Sequence, residues 1–410
     1  MAIKIQYLFV VVMLFFYLFF NGGGVGFFLS SMFCFIIFLW DRNSLFCFFS
    51  FLKRNLYIVF AFVFFLVFFL LREFFSAFHN DFELENLVFV YRVIQVFLGV
   101  IPFSFFLSYF VFFKSNGEDK LFKLFFLVSI IQSFFVVISY FSSSVREFLT
   151  LAVIDDRYKE VLSAVLHYRI YGFSTNYTFT MPVFMAIAAL FSFIKSVRSN
   201  IFYFLFVPFF IFSIYLNARV GLLVLFFLVV FYAPYLIKYS NFYKLLSLFL
   251  LLSVFAYFLS FWYDLEVGLN HWFLAGVEEL RQLLDGRLLG TFSVLGDMFF
   301  IPDGWGLLFG DGVNVFHAER NSDVGYIISI NYGGLFYLLM LLGFYFLFVF
   351  NSLYLGKQCF WVVFSVFLCL ILINFKGDAF YRNEVTTLFF SVFFYFYFKY
   401  NFFCYCHISK

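Results

Sequence analysis

Four short stretches of the sequence combine basic, acidic and amide side chains that could bind phosphate or move a proton. They cover residues 168–176, with Arg169; 217–221, with Arg219; 310–326, with His317, Arg320 and Asp323; and 374–378, with Lys376. A guanidinium group binds phosphate through two parallel hydrogen bonds, and a carboxylate can accept the proton of an attacking hydroxyl. The four stretches therefore predict a site for an anionic substrate, with Asp323 as a candidate general base.

Three of the four stretches also have a simpler structural explanation that the residues leave open. Arg219 could extend its charge to the headgroup level while its stem lies against lipid. Asn176 could cap the helix that follows it, and Ser322 or Asp323 could cap the helix predicted after residue 324. His317 has a side chain suited to proton transfer near neutral pH, but a single loop histidine is more often incidental.

The elements that must position these residues are membrane helices. The chain has 410 residues, of which 65% are hydrophobic and 12% charged, whereas soluble domains are about 25% charged. Apolar runs of about 17–25 residues are long enough to cross a bilayer. The sequence predicts one all-α, polytopic transmembrane bundle over residues 1–410, with about twelve spans. The predicted spans are 5–20, 25–40, 56–71, 93–113, 121–141, 177–194, 201–216, 220–237, 245–262, 325–350, 358–373 and 384–400.

Positive charge is divided between the two sides of these predicted spans. With both termini in the cytoplasm, the inner segments carry mostly lysine, as the positive-inside rule requires. The outer segments carry mostly arginine, against that rule. The two long outer loops are predicted at 142–176 and 263–324, and the second contains an amphipathic stretch at 273–289 that includes Arg287. Arginine on the outer face favours an anionic, lipid-linked substrate handled outside the cytoplasm.

Several function classes are excluded by what the sequence lacks. It contains no Walker loop, no dinucleotide fingerprint, no HExxH or GxSxG motif and no cluster with metal-ligand spacing, so we expect no cofactor and no metal. The predicted cytoplasmic loops are too short for a nucleotide-binding domain, and nothing indicates a nucleic-acid partner. The substrate is therefore expected to arrive within the lipid bilayer.

The order of the motifs resembles a known family. The first motif precedes a predicted span and consists of Arg169, Gly172 and Asn176. The second forms a predicted outer turn and consists of Asn217, Arg219 and Gly221. The third lies in the long predicted outer loop, begins with Phe309, Gly310 and Gly312, and ends on Ser322, Asp323, Gly325, Tyr326 and Ile327. This pattern, over roughly residues 165–390, looks like the O-antigen and capsular polysaccharide polymerases (Wzy). Those enzymes are related to the O-antigen ligases (WaaL).

The resemblance implies a GT-C-type glycosyltransferase of the bacterial inner membrane, acting in lipopolysaccharide or capsule biosynthesis. It would transfer a glycan from undecaprenyl pyrophosphate to a lipid-linked oligosaccharide repeat unit, beside a flippase and a chain-length regulator of the same pathway. The expected catalytic residues are Asp323, Arg219 and His317. The expected substrate-binding residues are Arg169, Arg287, Arg320, Lys376 and Tyr326. Ligases carry histidine where this chain has Asp323, which favours a polymerase. A ligase and a lipid-linked oligosaccharide flippase remain the alternatives.

Overall fold

The computed structural model describes residues 2–20, 25–78, 87–115, 120–153, 170, 172–174, 179–239, 298–315 and 322–408. The elements in these ranges are helical, and no strand occurs among them. The α-helices are α1 Ala2–Phe19, α2 Val25–Trp40, α3 Asn43–Arg54, α4 Leu56–Phe78, α5 Leu87–Ile94, α6 Ile101–Ser115, α7 Lys120–Phe141, α8 Ser143–Val153, α9 Thr180–Arg198, α10 Phe206–Tyr215, α11 Arg219–Tyr239, α12 Trp305–Phe309, α13 Gly325–Tyr354, α14 Lys357–Ile373 and α15 Glu384–Ile408. A π-helical turn, Gln95–Val100, joins α5 to α6, and a 3₁₀ turn, Ile201–Leu205, precedes α10.

The predicted all-α class is confirmed for the described residues, and several helices have the length and composition of membrane spans. Five meet both requirements, and a sixth is added if the bent pair α2–α3 is one span. The five are Leu56–Phe74, Leu87–Phe113, Lys120–Phe141, Thr180–Arg198 and Gly325–Tyr354. The total of twelve spans and the GT-C assignment stay predictions. The predicted span 245–262 lies outside the described residues.

The chain divides into two compact units. The first comprises Met1–Leu18, Gly23–Leu121 and Met298–Lys410, and the second comprises Phe19–Gly22 and Phe122–Asp297. In the first unit, α15 packs along α6. Two serines of α6 donate to backbone carbonyl oxygens of α15: Ser104 Oγ to Thr387 O at 3.2 Å and Ser108 Oγ to Ser391 O at 2.7 Å. Small residues allow this approach, and their hydroxyls are satisfied where water is absent.

Buried aromatic rings fill the space between helices of the first unit. Phe105 of α6 contacts Phe394 and Phe398 of α15, with ring centroids 5.3 and 4.9 Å apart. Tyr345 of α13 is fully buried and contacts Phe389 of α15 at 5.5 Å. Some of the abundant phenylalanine side chains therefore pack inside the protein, and others are exposed on the apolar surface of the helices.

The second unit is built around α9. Both α10 and α11 pack against α9. Three small residues of α9 are buried: Ala186, Ala188 and Ala189. The close approach of α11 depends on Gly221, because a Cβ at that position would lie 2.6 Å from Ile214 Cγ2 and 2.8 Å from the Pro182 carbonyl oxygen. This contact gives a packing reason for the glycine two residues after Arg219.

Candidate functional site

The start of α13 lies against the turn that joins α14 to α15. Gly325 begins α13, and a Cβ there would overlap Asn374 Oδ1 and lie 2.7 Å from the Gly377 carbonyl oxygen. The fully buried Asn374 shapes the turn, since its Oδ1 accepts the Ala379 N–H at 2.8 Å. Glycine at 325 therefore permits a contact that brings residues 322–326 and 374–378 together.

Asp323 and Lys376 form an ion pair at this contact. Lys376 Nζ lies 2.7 Å from Asp323 Oδ2, and the two side chains are 36% and 34% exposed. The other carboxylate oxygen, Oδ1, is buried and has no hydrogen-bond partner among the described residues. The structure thus pairs two predicted site residues that are 53 positions apart in the chain.

Asp323 is not the cap of α13. The N-cap position is Val324, which makes no side-chain cap, and the Val324 N–H is bonded by Ser322 Oγ at 3.2 Å. Ser322 thus accepts the N–H of the N-cap residue without capping a helical N–H, and the Asp323 side chain is directed to Lys376.

Tyr326 lies on the first turn of α13, beside the same turn. Its hydroxyl donates to the Ile371 carbonyl oxygen at 2.8 Å, and its ring meets Phe375 edge-on at 5.0 Å. The hydroxyl proton is therefore engaged by the protein, and the oxygen can still accept a hydrogen bond.

A second ion pair holds the far end of the turn. Arg92 Nη1 lies 2.6 Å from Asp378 Oδ2, with side chains 24% and 9% exposed. The guanidinium also faces the rings of Phe89 and Tyr381, at 5.2 and 5.1 Å. Asp378 Oδ1 accepts the Phe380 N–H at 3.2 Å. Residues 374–378 are thus tied to both α5 and the start of α13.

Helix α13 is broken at Gly334, about two and a half turns after its start at Gly325. Gly334 has φ 72° and ψ −176°, a backbone conformation that L side chains rarely adopt. The break leaves carbonyl oxygens of the first half without helical partners. Asn331 O instead accepts the Asp311 and Gly312 N–H groups, at 2.8 and 3.2 Å, and Tyr332 O accepts Arg72 Nε at 3.4 Å. The Gly-rich stretch 310–312 is therefore docked on the break.

The buried carboxyl of Glu73 lies at the same break. Glu73 is 8% exposed and its Oε1 accepts the Tyr332 hydroxyl at 2.8 Å. The Tyr332 ring stacks on Phe89, with centroids 3.8 Å apart and planes 11° apart. Arg72 and Glu73 at the end of α4 thus fix the broken segment of α13.

In the segments predicted to lie outside, every arginine whose side chain the structure describes binds groups of the protein itself. Besides Arg72 and Arg92, Arg146 donates to the Ser139 carbonyl oxygen at 3.0 Å. Arg382 is buried, donates to the Tyr17 carbonyl oxygen at 2.5 Å and faces the Tyr17 ring at 4.5 Å. Of these four arginines, Arg92 is paired with an acid, and the other three donate to backbone carbonyl oxygens.

In the second unit, the two arginine-bearing motifs meet through the backbone. The Ile170 N–H, directly after Arg169, donates to the Leu216 carbonyl oxygen at 3.0 Å. Arg219 is the first residue of α11, where unpaired backbone N–H groups favour an anion. Asn217 is fully buried, and its Nδ2 donates to the Ser213 carbonyl oxygen at 2.7 Å, which fixes the turn before Arg219.

Several predicted site residues cannot be placed. Arg169, Arg287, His317 and Arg320 lie outside the described residues, and the structure describes the backbone of Arg219 but not its side chain. Most of both predicted outer loops is likewise outside the described ranges. Within those ranges, no three His, Cys, Asp or Glu side chains are grouped to hold a metal ion.

Sequence reasoning missed the part played by Arg92 and Asp378. In the sequence, Arg92 is one of several arginines in the predicted outer segments, and Asp378 is the last residue of the stretch 374–378. The pair spans 286 positions, so only the packing of α5 against the turn reveals it. A weak signal was available, since an acid and a base both sat at predicted outer ends of spans.

Comparisons of the chain with protein-family models, with curated protein sequences and with solved structures each gave no match.

Proposed function

We propose that this protein is a membrane glycosyltransferase that polymerises lipid-linked oligosaccharide repeat units on the outer face of the bacterial inner membrane. The observation that carries the proposal is the partly exposed ion pair of Asp323 and Lys376. A carboxylate and an ammonium group are held within 2.7 Å at the end of two apolar helices, and solvent reaches both. An acceptor hydroxyl and a phosphate group could be bound side by side at such a pair.

The reaction would run between two lipid-linked substrates. Asp323 accepts the proton of the acceptor sugar hydroxyl, whose oxygen forms the new bond to the anomeric carbon of the donor glycan. The bond from that carbon to undecaprenyl pyrophosphate breaks, and its electron pair leaves with the pyrophosphate. Cationic side chains stabilise the charge that develops there. From the sequence motifs alone, we assign this role to Arg219, and the binding of the substrate phosphates to Lys376, Arg169, Arg287 and Arg320.

Two local features support these roles. The hydrogen bond from Ile170 to Leu216 ties the chain next to Arg169 to the turn that precedes Arg219. The helix N-terminus at Arg219 adds backbone N–H groups that favour phosphate. His317 is kept as the alternative base, and Tyr326 as a hydrogen-bond acceptor for the substrate, since its proton is donated to Ile371. A chain-length regulator and a flippase of the same pathway are the expected partners.

Purified protein in liposomes tests the proposal directly. Undecaprenyl-pyrophosphate-linked repeat units are added without nucleotide sugar. Their glycan chains should become longer, and one undecaprenyl pyrophosphate should be released for each repeat unit that is joined. Absence of any chain longer than one repeat, with protein that is folded and correctly inserted, would contradict the proposal.

The flippase is the second candidate, and the break in α13 favours it. Discontinuous helices are a feature of transporters, in which they form sites near the middle of the membrane. Here the break at Gly334 brings the buried Glu73 against Tyr332. Movement of a lipid-linked repeat unit across the liposome bilayer, with no change in glycan length, would support this candidate over the polymerase.

A further inference from the structure

Residues 41–55, which lie between the predicted spans 25–40 and 56–71, contain a helix that is not among the predicted elements. Helix α3, Asn43–Arg54, follows α2 after a bend of 116°. With residues 25–40 crossing the membrane near its normal, as the sequence predicts, a helix bent by 116° from α2 lies closer to the membrane plane than to that normal. Its place after the end of this predicted span puts α3 where hydrocarbon gives way to headgroups.

One face of α3 is packed against the first unit. Phe51 is 1% exposed and contacts Phe105, Phe394 and Tyr397, with centroids between 5.0 and 5.6 Å apart. Phe48, one turn earlier, lies 5.0 Å from Phe105. This face fixes the rotation of α3 about its axis, so the identity of the opposite face is determined as well.

The opposite face is a stripe of two aromatic and two cationic residues. Arg42, Phe46, Phe49 and Lys53 follow each other at spacings of four, three and four, and all four are exposed. Phe46 is 77% and Phe49 is 60% exposed. At 1.5 Å per residue the two cations are about 16 Å apart, with both rings between them.

We propose that this stripe is a binding surface for anionic phospholipid headgroups at the membrane face where α2 ends. Aromatic rings insert at the boundary of headgroups and acyl chains, and flanking cations attract the anionic leaflet. The spacing matches that arrangement, since Phe46 and Phe49 enter the boundary while Arg42 and Lys53 remain at phosphate level. Under the predicted topology this is the cytoplasmic leaflet. The inference does not depend on the proposed glycosyltransferase activity.

The first experiment measures the depth of the stripe. Phe46→Trp protein is placed in nanodiscs whose lipids carry bromine near the glycerol or near the chain end, and the fluorescence of the unsubstituted protein is subtracted. Quenching should be strongest with bromine near the glycerol. Leu339→Trp is the control, because Leu339 is 64% exposed near the middle of α13 and should be quenched from the chain end. If residue 46 is quenched like residue 339, α3 lies inside the bilayer and the proposal is wrong.

The second experiment measures the preference for anionic lipid. The full-length protein is exchanged between phosphatidylglycerol and phosphatidylcholine, and the lipids that remain bound are counted by native mass spectrometry. Basic residues near an anionic surface contribute about 1 kcal/mol each, so Arg42→Gln with Lys53→Gln should reduce the preference for anionic lipid about 30-fold at low salt. The control variant, Lys120→Gln with Lys357→Gln, removes two other cations and should keep most of the preference for anionic lipid. Equal losses in the two double variants, or no loss in either, would overturn the proposal.

Discussion

Replacing Asp323 by asparagine separates a chemical role of its carboxylate from a structural one. The substitution keeps the size of the side chain and removes its charge, so it breaks the ion pair with Lys376. Both side chains are about one-third exposed, and exposed ion pairs contribute about 0.2–1 kcal/mol. A loss of about 1 kcal/mol from a stability of about 5–15 kcal/mol leaves nearly all of the protein folded. A purely structural Asp323 would therefore leave activity almost unchanged.

A general base behaves differently. Loss of general-base catalysis lowers the rate about 10²–10⁴-fold, or about 3–5 kcal/mol in the barrier, which is larger than the stability effect. The assay follows kcat and KM for lipid-linked donor in liposomes, with thermal unfolding measured on the same samples. Asp323→Asn should lower kcat at least a hundredfold. Lys376→Gln breaks the same ion pair but keeps the carboxylate, so it should mainly raise KM. A kcat for Asp323→Asn within threefold of the unsubstituted protein would refute the role of Asp323 as the base.

The remaining predictions concern the packing at Gly325, the role of Arg219 and the topology. Gly325→Ala should destabilise the protein by about 1–3 kcal/mol in thermal unfolding, because the added methyl group would overlap Asn374. Gly343→Ala on the same helix is the control. A Cβ at residue 343 meets nothing within 4 Å, so this variant should be neutral or stabilising. Arg219→Lys should lose most polymerising activity at normal expression, because lysine keeps the charge but loses the two-point contact with phosphate; full-length glycan from this variant would make Arg219 an anchor only. A cysteine at Ser293 should react with a membrane-impermeant thiol reagent in intact spheroplasts, and labelling only after lysis would contradict the predicted topology.

The helices were the most predictable part of the fold, because apolar runs bounded by charge or glycine specify them locally. The predicted spans 325–350 and 358–373 correspond to α13 and α14 within a few residues. Helix α3 is not predicted by long apolar runs, because its sequence of 12 residues contains polar and basic side chains. Its apolar residues form a half-buried face and a stripe instead, a periodic pattern that the sequence does contain.

The candidate site was only partly predictable. Asp323 and Lys376 were each singled out for their residue types, but nothing in the sequence says that they meet. Their contact depends on the close approach of Gly325 to Asn374, which is a property of the packed helices. The break in α13 was also unforeseen, because Gly333-Gly334 in an apolar run is tolerated in membrane helices and does not by itself indicate a kink.

Surface glycan from cells that lack this protein tests the central claim most directly. A polymerase acts after the repeat unit has reached the outer face and before the finished chain is transferred. Cells that lack the protein should therefore carry surface glycan that is one repeat unit long. The unsubstituted gene should restore full-length chains in these cells, and the Asp323→Asn gene should not. Complete absence of surface glycan would indicate a flippase instead, and full-length polymer retained on undecaprenyl pyrophosphate would indicate a ligase; either result would contradict the account.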